Sequence, residues 1–239
     1  MKLDKHKIFI LITVRTESSR LPKKCLKLIN KKKIIEIIIT RAKKIGYPII
    51  IVTTKRKSDD ILCKLAIKNK ALYYRGASKN ILKRWNDCLK KFKADIAIMV
   101  DADDLLFDYD VYKKALKKFL NSKFDYIKAN NNSITGLFTY IFRAKLIKKV
   151  YDKNKNKPIE TIGPYLDKKY KFYSLNLRRN KQMRFTLDYK EDFLLFKKIF
   201  YRFSFTVKTN KVIDYLKKFK SLTRINYFRQ NDYLKNQRR

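Results

Sequence analysis

The chain has 239 residues, 45% of them hydrophobic, enough for one domain with a sizeable core. Lys and Arg number 61 against 21 Asp and Glu, a formal net charge of +40. That charge is spread over nearly every predicted helix, which argues for a compositional bias and against a dedicated nucleic-acid surface. A lone histidine (His6), three scattered cysteines and no apolar run of ~20 residues exclude a Ser-His-Asp triad, a disulfide framework, a zinc site and a membrane span. With no secretory leader visible, a soluble cytoplasmic protein is expected.

Ile8 to Val14 is an apolar run that reads as a buried first strand. Ile34, Ile35, Ile38, Ala42 and Ile45 recur at helical spacing, and Gly46 and Pro48 stop that helix. Ile49 to Val52 is a second strand. Ser58 and Asp59 are placed to cap a helix carrying Ile61, Leu62, Leu65 and Ala66. A short strand, Ala71 to Tyr74, precedes a helix with the stripe Ile81, Trp85, Cys88, Leu89 and Phe92, and Asp95 to Val100 is a fourth strand. Cys63 and Cys88 fall on apolar helix faces, whereas Cys25 adjoins a basic loop and is open to exposure.

Beyond that point the pattern predicts a helix over 110–119, a strand over 125–129, a loop over 130–136, a strand over 137–142 and a helix over 144–151. Strands over 172–177 and 183–187 and helices over 191–201 and 211–219 follow, with a basic, weakly patterned tail from Ser221. Alternating strands and helices predict an α/β sheet, mostly parallel, flanked by helices. Residues 1–239 read as one domain, with 203–239 a basic helical C-terminal extension.

Two segments carry chemistry. Arg15-Thr-Glu-Ser-Ser-Arg-Leu-Pro-Lys-Lys24 follows the first strand and brings Arg15, Arg20, Lys23 and Lys24 together with the hydroxyls of Ser18 and Ser19. Such a loop can neutralise and hydrogen-bond a polyphosphate, although it lacks the Walker A glycines. Asp101, Asp103 and Asp104 lie where the fourth strand ends, where ligands bind in open α/β sheets. Carboxylates there suit Mg²⁺, and Asp188, after a predicted strand, can share the ion. Glu191 and Asp192 suit a helix N-terminus instead. Arg84 borders an apolar helix stripe and needs an anionic partner, either a nucleotide or nearby Asp87.

The loop Arg-x-x-Ser-x-Arg-Leu-Pro-x-Lys resembles the signature of cytidylyltransferases that make CMP-sugars, most closely the spore coat polysaccharide biosynthesis protein F family. That family is related to the 3-deoxy-manno-octulosonate and acylneuraminate cytidylyltransferases. Tyr74 to Arg84, Asp101 to Phe107, Arg184 to Phe193 and Ile225-Asn226 are similar to further family motifs in the same order. The resemblance implies a three-layer α/β/α, Rossmann-like nucleotide-diphospho-sugar transferase fold. It implies CMP transfer from CTP to an acidic sugar, with Mg²⁺ on Asp103 and Asp188. Arg15, Lys24 and Asp103 would be catalytic. Arg15, Ser18, Ser19, Arg20, Lys24, Arg75 and Arg84 would bind the nucleotide, and Glu160 the sugar. No specific nucleic acid and no membrane insertion are expected; related enzymes are commonly dimers.

The chain departs from the family pattern at Lys23, where glycine is usual, at Ala102 for Gly, and at Leu105 and Lys190 for Pro. Thr161 stands for His and Tyr140 for Glu. Two other readings compete: a glycosyltransferase using Asp101-Ala-Asp103 as a metal-binding Asp-x-Asp, and a basic nucleic-acid-binding protein.

Overall fold

The computed structural model describes residues 6–155, 157–166, 169–180 and 182–237. In chain order its strands and helices are β1 (Ile8–Thr13), β2 (Leu28–Ile29), β3 (Lys32–Lys33), α1 (Ile34–Ala42), β4 (Ile49–Thr54), α2 (Asp60–Lys68), β5 (Leu72–Gly76), α3 (Ile81–Lys91), β6 (Ile96–Asp101) and α4 (Tyr109–Leu120). They continue with β7 (Tyr126–Ala129), β8 (Tyr140–Arg143), α5 (Ala144–Lys153), β9 (Phe172–Leu175), α6 (Lys190–Arg202), α7 (Thr209–Lys218), α8 (Lys220–Thr223) and α9 (Arg229–Gln237).

Seven strands form one sheet in the order β5-β4-β1-β6-β8-β7-β9, and β2 and β3 make a small separate hairpin. β5, β4, β1 and β6 are parallel neighbours, as are β7 and β9; β8 runs antiparallel to both β6 and β7. Alternation along β1 sends Ile8, Ile10 and Ile12 to one face and Leu11 to the other. The first face is covered by α1, α2, α4, α6 and α7, the second by α3 and α5. The sheet flanked by helices is what the alternating pattern predicts, and the three-layer α/β/α form is the one the resemblance implies. No helix of the described residues is long and apolar enough to cross a membrane.

Chain order turns around at β1, with β4 and β5 on one side and β6 on the other. Loops that follow β1 and β6 therefore meet at the carboxyl edge of the sheet, the place where such sheets bind ligands.

Four sequence expectations change. Residues 183–187 make no strand: only Thr135 and Arg184 form an isolated bridge. The segment is extended, but its amides turn to loops, Phe185 donating to the Thr135 carbonyl and Leu187 to the Asp103 carbonyl, both at 2.8 Å. The strand expected over 137–142 is the shorter β8. Cys25 is buried, its thiol pushed up to about 11 by burial and by Asp59, and is no exposed nucleophile.

Asp59, expected as a helix cap, makes no cap bond. Its buried carboxylate accepts instead from the Thr16 amide (2.8 Å), the Thr16 hydroxyl (2.7 Å) and the hydroxyls of Thr53 (3.0 Å) and Thr54 (2.5 Å). It ties the start of the basic loop to the end of β4. Burial opposes its charge, but the threonine donors outweigh burial and hold the carboxyl below its ordinary range.

A lowered folded-state pKa contributes stability that is present above the unfolded value near 4 and is lost as pH falls through the folded value. Asp59→Asn is therefore expected to cost about 1–3 kcal/mol at pH 6 and less at pH 3, below the unfolded value. Urea unfolding at the two pH values checks this.

Candidate active site

The basic loop folds back from β1 and ends in a single turn of 3₁₀ helix, Lys24–Leu26. Lys23, just before it, sits in the left-handed region (φ 51°, ψ 33°). This is where the family's glycine is favoured, because a side chain there strains the backbone. The other departures fit without strain. Ala102 has no positive φ, Leu105 is fully buried, and Lys190 begins α6, where the proline of the family needs no amide partner.

Lys24 is the centre of the site. Its Nζ lies 2.6 Å from Asp103 Oδ2, 3.1 Å from Asp188 Oδ1 and 2.8 Å from the Leu187 carbonyl. Burial disfavours the ammonium, yet Asp103 and Asp188 outweigh it and hold Lys24 protonated well above the ordinary lysine range. Arg20 Nη2 meets the same Asp188 oxygen at 2.5 Å. The other oxygen, Oδ2, takes Arg184 Nη2 at 2.7 Å. Asp188 is 2% exposed and survives burial as an anion because these three cations surround it.

β6 ends in a tight turn, with the Asp104 amide donating to the Asp101 carbonyl at 3.2 Å. The turn converges three carboxylates: oxygens of Asp101, Asp103 and Asp104 all lie within 4.8 Å of one another. Burial, followed by repulsion from Asp103, pushes Asp101 up to about 7 and Asp104 well above its usual range. An all-oxygen set of three carboxylates, with the Lys24 ammonium on Asp103 alone among them, fits a hard divalent cation. The sequence expectation paired Asp103 with Asp188 on one ion; in the structure the two share the Lys24 ammonium, and Asp101 and Asp104 group with Asp103.

Arg15 and Glu160 face each other across the cleft at 3.1 Å, both well exposed, so the pair is weak and open to exchange. Ser18 is half-buried and Ser19 exposed on the loop. Arg84 is 3% exposed, and its Nη1 donates to the Ala77 carbonyl at 2.6 Å while its Nε has no partner among the described residues. Asp87 is not its counter-ion, because Lys83 holds Asp87 at 2.7 Å one turn away. Burial and then Arg15 lower the Arg84 pKa, and Gly76 lets it pass: a Cβ there would stand 2.8 Å from Arg84 Cγ. Arg75 is not brought to the loop. Its guanidinium is committed to the carbonyls of Thr54 (3.1 Å) and Arg56 (3.0 Å) and to Asp60 at 2.7 Å.

Sequence reasoning passed over Arg184 as a functional residue. It is fully buried, and besides Asp188 it meets Asp192 at 3.1 Å and Gln230 Oε1 at 3.1 Å. A lone arginine beside the apolar Phe185 was the available signal. Asp192 closes the N-terminus of α6 as expected, accepting from the amides of Asp188 (2.8 Å) and Tyr189 (2.9 Å). Asn226, of the late Ile-Asn pair, donates to the Arg184 carbonyl at 3.1 Å and to Asp192 at 2.8 Å.

A basic loop after β1, facing a carboxylate cluster after β6 at the turning point of an α/β/α sheet, defines a nucleotidyltransferase-type site. The sequence profile of the cytidylyltransferase family matches residues 9–239, and the chain belongs to that family, whose members use CTP as nucleotide donor. The chain is 28% identical to uncharacterized protein MJ1063 of Methanocaldococcus jannaschii, over 95% of this chain and 98% of that one. It is 22% identical to the spore coat polysaccharide biosynthesis protein SpsF of Bacillus subtilis, over 78% and 83%.

Among solved structures, a cytidylyltransferase from Leptospira borgpetersenii superposes with a TM-score of 0.84 at 25% identity, covering 91% of this chain and 97% of that one. The CMP:2-keto-3-deoxy-manno-octonic acid synthetase complexed with CTP shares the fold at a TM-score of 0.61 and 14% identity, over 82% and 99%.

Relieving the left-handed strain at position 23, Lys23→Gly is expected to raise stability by about 1 kcal/mol. Lys24→Met leaves Asp103 and Asp188 facing each other without their shared cation and is expected to cost about 3 kcal/mol. Thermal unfolding of the two variants at one pH reads both effects.

Proposed function

We propose that the protein transfers CMP from CTP to a sugar acid with release of pyrophosphate, in surface polysaccharide or glycan biosynthesis. The observation that carries this reading is the Lys24 ammonium held between Asp103 and Asp188 at the mouth of the basic loop. The family supports CTP as donor, and the relation to SpsF supports a polysaccharide context.

An acceptor hydroxyl attacks the α-phosphorus. The new P–O bond forms as the bond to the bridging oxygen of the β-phosphate breaks, and pyrophosphate departs while the hydroxyl proton is released. Such a reaction depends on positioning and on neutralising charge. Lys24 and Arg20 are the groups to supply that charge: both now bind Asp188, and a triphosphate offers them a more highly charged partner. Arg15, released from the exposed Glu160, joins them, and Ser18 and Ser19 add hydroxyl donors. Arg84 borders the nucleotide side with an unsatisfied Nε.

Asp103, with Asp101 and Asp104 and with Asp188 once Lys24 turns to phosphate, would hold Mg²⁺. The ion would supply Lewis-acid neutralisation of the phosphate oxygens. Glu160 and Tyr140 border the acceptor side. Tyr140 is the register partner of Met99, two residues before Asp101 on the same face of β6, and burial pushes its hydroxyl up to about 12, so it stays a neutral hydrogen-bond donor. Tyr140 and Thr161 replace the usual Glu and His, which points to an acceptor unlike that of family members that carry them.

Calorimetry with CTP, UTP, ATP and GTP at moderate salt, with and without Mg²⁺, tests the reading. The expected result is selective, Mg²⁺-dependent CTP binding that is lost in Asp103→Asn. Equal binding of every nucleotide, steeply weakened by salt, would replace this reading with nonspecific polyanion binding.

A further inference from the structure

We infer that the C-terminal helix α9 is part of the active site, with Gln230 and Tyr233 as positioning residues that set the triphosphate grip through Arg184. The inference rests on the cytidylyltransferase reading of the site and deepens it.

α9 has the sequence Arg-Gln-Asn-Asp-Tyr-Leu-Lys-Asn-Gln, and its one aliphatic residue, Leu234, is 46% exposed. Apart from the Tyr233 ring, apolar burial therefore does little to hold it in place. Polar groups do, and they converge on one target. Gln230 Oε1 accepts from Arg184 Nη1 at 3.1 Å, and Gln230 Nε2 donates to Thr135 Oγ1 at 2.9 Å. Thr135 is itself the bridge partner of Arg184. Arg184 Cζ lies over the Tyr233 ring, 4.6 Å from the ring centroid. Arg229 anchors the first turn by gripping both oxygens of Glu191, at 2.8 and 3.2 Å. Just upstream, Asn226 holds the Arg184 carbonyl.

Every donor nitrogen of Arg184 is thereby assigned: Nε to Asp192, Nη1 to Gln230 and Nη2 to Asp188. Two of these contacts, and the Tyr189 ring at 5.7 Å, come from the motif that contains Arg184; the third contact and the nearer Tyr233 ring come from α9. A planar guanidinium held on its edge and its face has one orientation. That orientation presents Nη2 to Asp188 Oδ2 and leaves only Oδ1 for Arg20 and Lys24.

The consequence is a division of Asp188. Anchored on Arg184, its carboxylate stays in place when Lys24 and Arg20 turn toward phosphate. Released from that anchor, it follows the two cations and competes with the nucleotide for them. Tyr233 also lies in the field of the site's carboxylates: burial, Asp104 and Asp103 hold its hydroxyl protonated above the ordinary tyrosine range. The stacked ring, rather than an ionised oxygen, is what α9 contributes.

Calorimetric titration of full-length wild type, Tyr233→Phe, Tyr233→Leu and Gln230→Ala with CTP and with CMP, both with Mg²⁺, decides the matter. CMP lacks the β- and γ-phosphates that Lys24 and Arg20 would grip. The expected result is CTP affinity about 10-fold lower in Tyr233→Leu and Gln230→Ala, CMP affinity within about 2-fold of wild type, and Tyr233→Phe equal to wild type because it keeps the ring. Unchanged CTP affinity in both weakened variants would overturn the inference. So would equal losses for CTP and CMP with a lowered melting temperature, which would make α9 a structural prop alone. Wild type that binds no CTP would instead remove the cytidylyltransferase reading, and the inference with it.

Discussion

One ammonium between two carboxylates organises this site. Lys24 comes from the first loop, Asp103 from the turn after β6 and Asp188 from a segment 164 residues beyond Lys24, so a single side chain joins three distant pieces. Without the cation, the carboxylates of Asp101, Asp103, Asp104 and Asp188 would repel one another in a poorly solvated corner. The structure spends basic residues to prevent this: Lys24 and Arg20 from the loop, Arg184 from the late motif. The cations are of two kinds. Arg184 is fully buried and fixed, whereas Arg20 remains about one-third exposed and Lys24 keeps an opening to the cleft.

The fold makes this meeting unavoidable. β1 and β6 are parallel neighbours from Ile8 and Ile96 to Thr13 and Asp101, so the basic loop and the acidic turn leave the sheet side by side. Asp59 fixes the root of the loop against β4, and the Leu187 amide is fastened to the Asp103 carbonyl. The late motif is thus held to the acidic turn by backbone as well as by charge, and a phosphate-sized ligand would find its counter-charges already assembled.

Much of this was legible in the sequence. Apolar runs and helical stripes fixed the alternation of layers, because burial on both sheet faces leaves a strong signal in Ile-rich strands such as β1 and β4. The basic loop and the acidic turn were visible because their residues are contiguous. What stayed hidden depends on contacts between residues far apart. Spacing placed Arg84 at a stripe edge but could not show that Lys83 takes Asp87, or that Arg75 is used up on the Thr54 and Arg56 carbonyls. Asp59 has the sequence position of a cap, yet three threonines on two other segments offer its carboxylate more donors. Residues 183–187 look like a strand because Phe185 and Leu187 alternate inward, but they pair with loops. The C-terminal extension reads as helical, but its weak pattern gave no sign of where α9 begins or that it docks at the site, since a helix held through Gln230, Tyr233 and Arg229 leaves no apolar stripe to read.

The most direct test of the account is a crystal structure of the protein with CTP and Mg²⁺. The account predicts that Lys24 Nζ leaves Asp188 for a phosphate oxygen, that Arg20 does the same, and that Arg184 keeps its place on Asp188. A triphosphate bound with Lys24 still bridging Asp103 and Asp188, or bound away from the 15–24 loop, would contradict it.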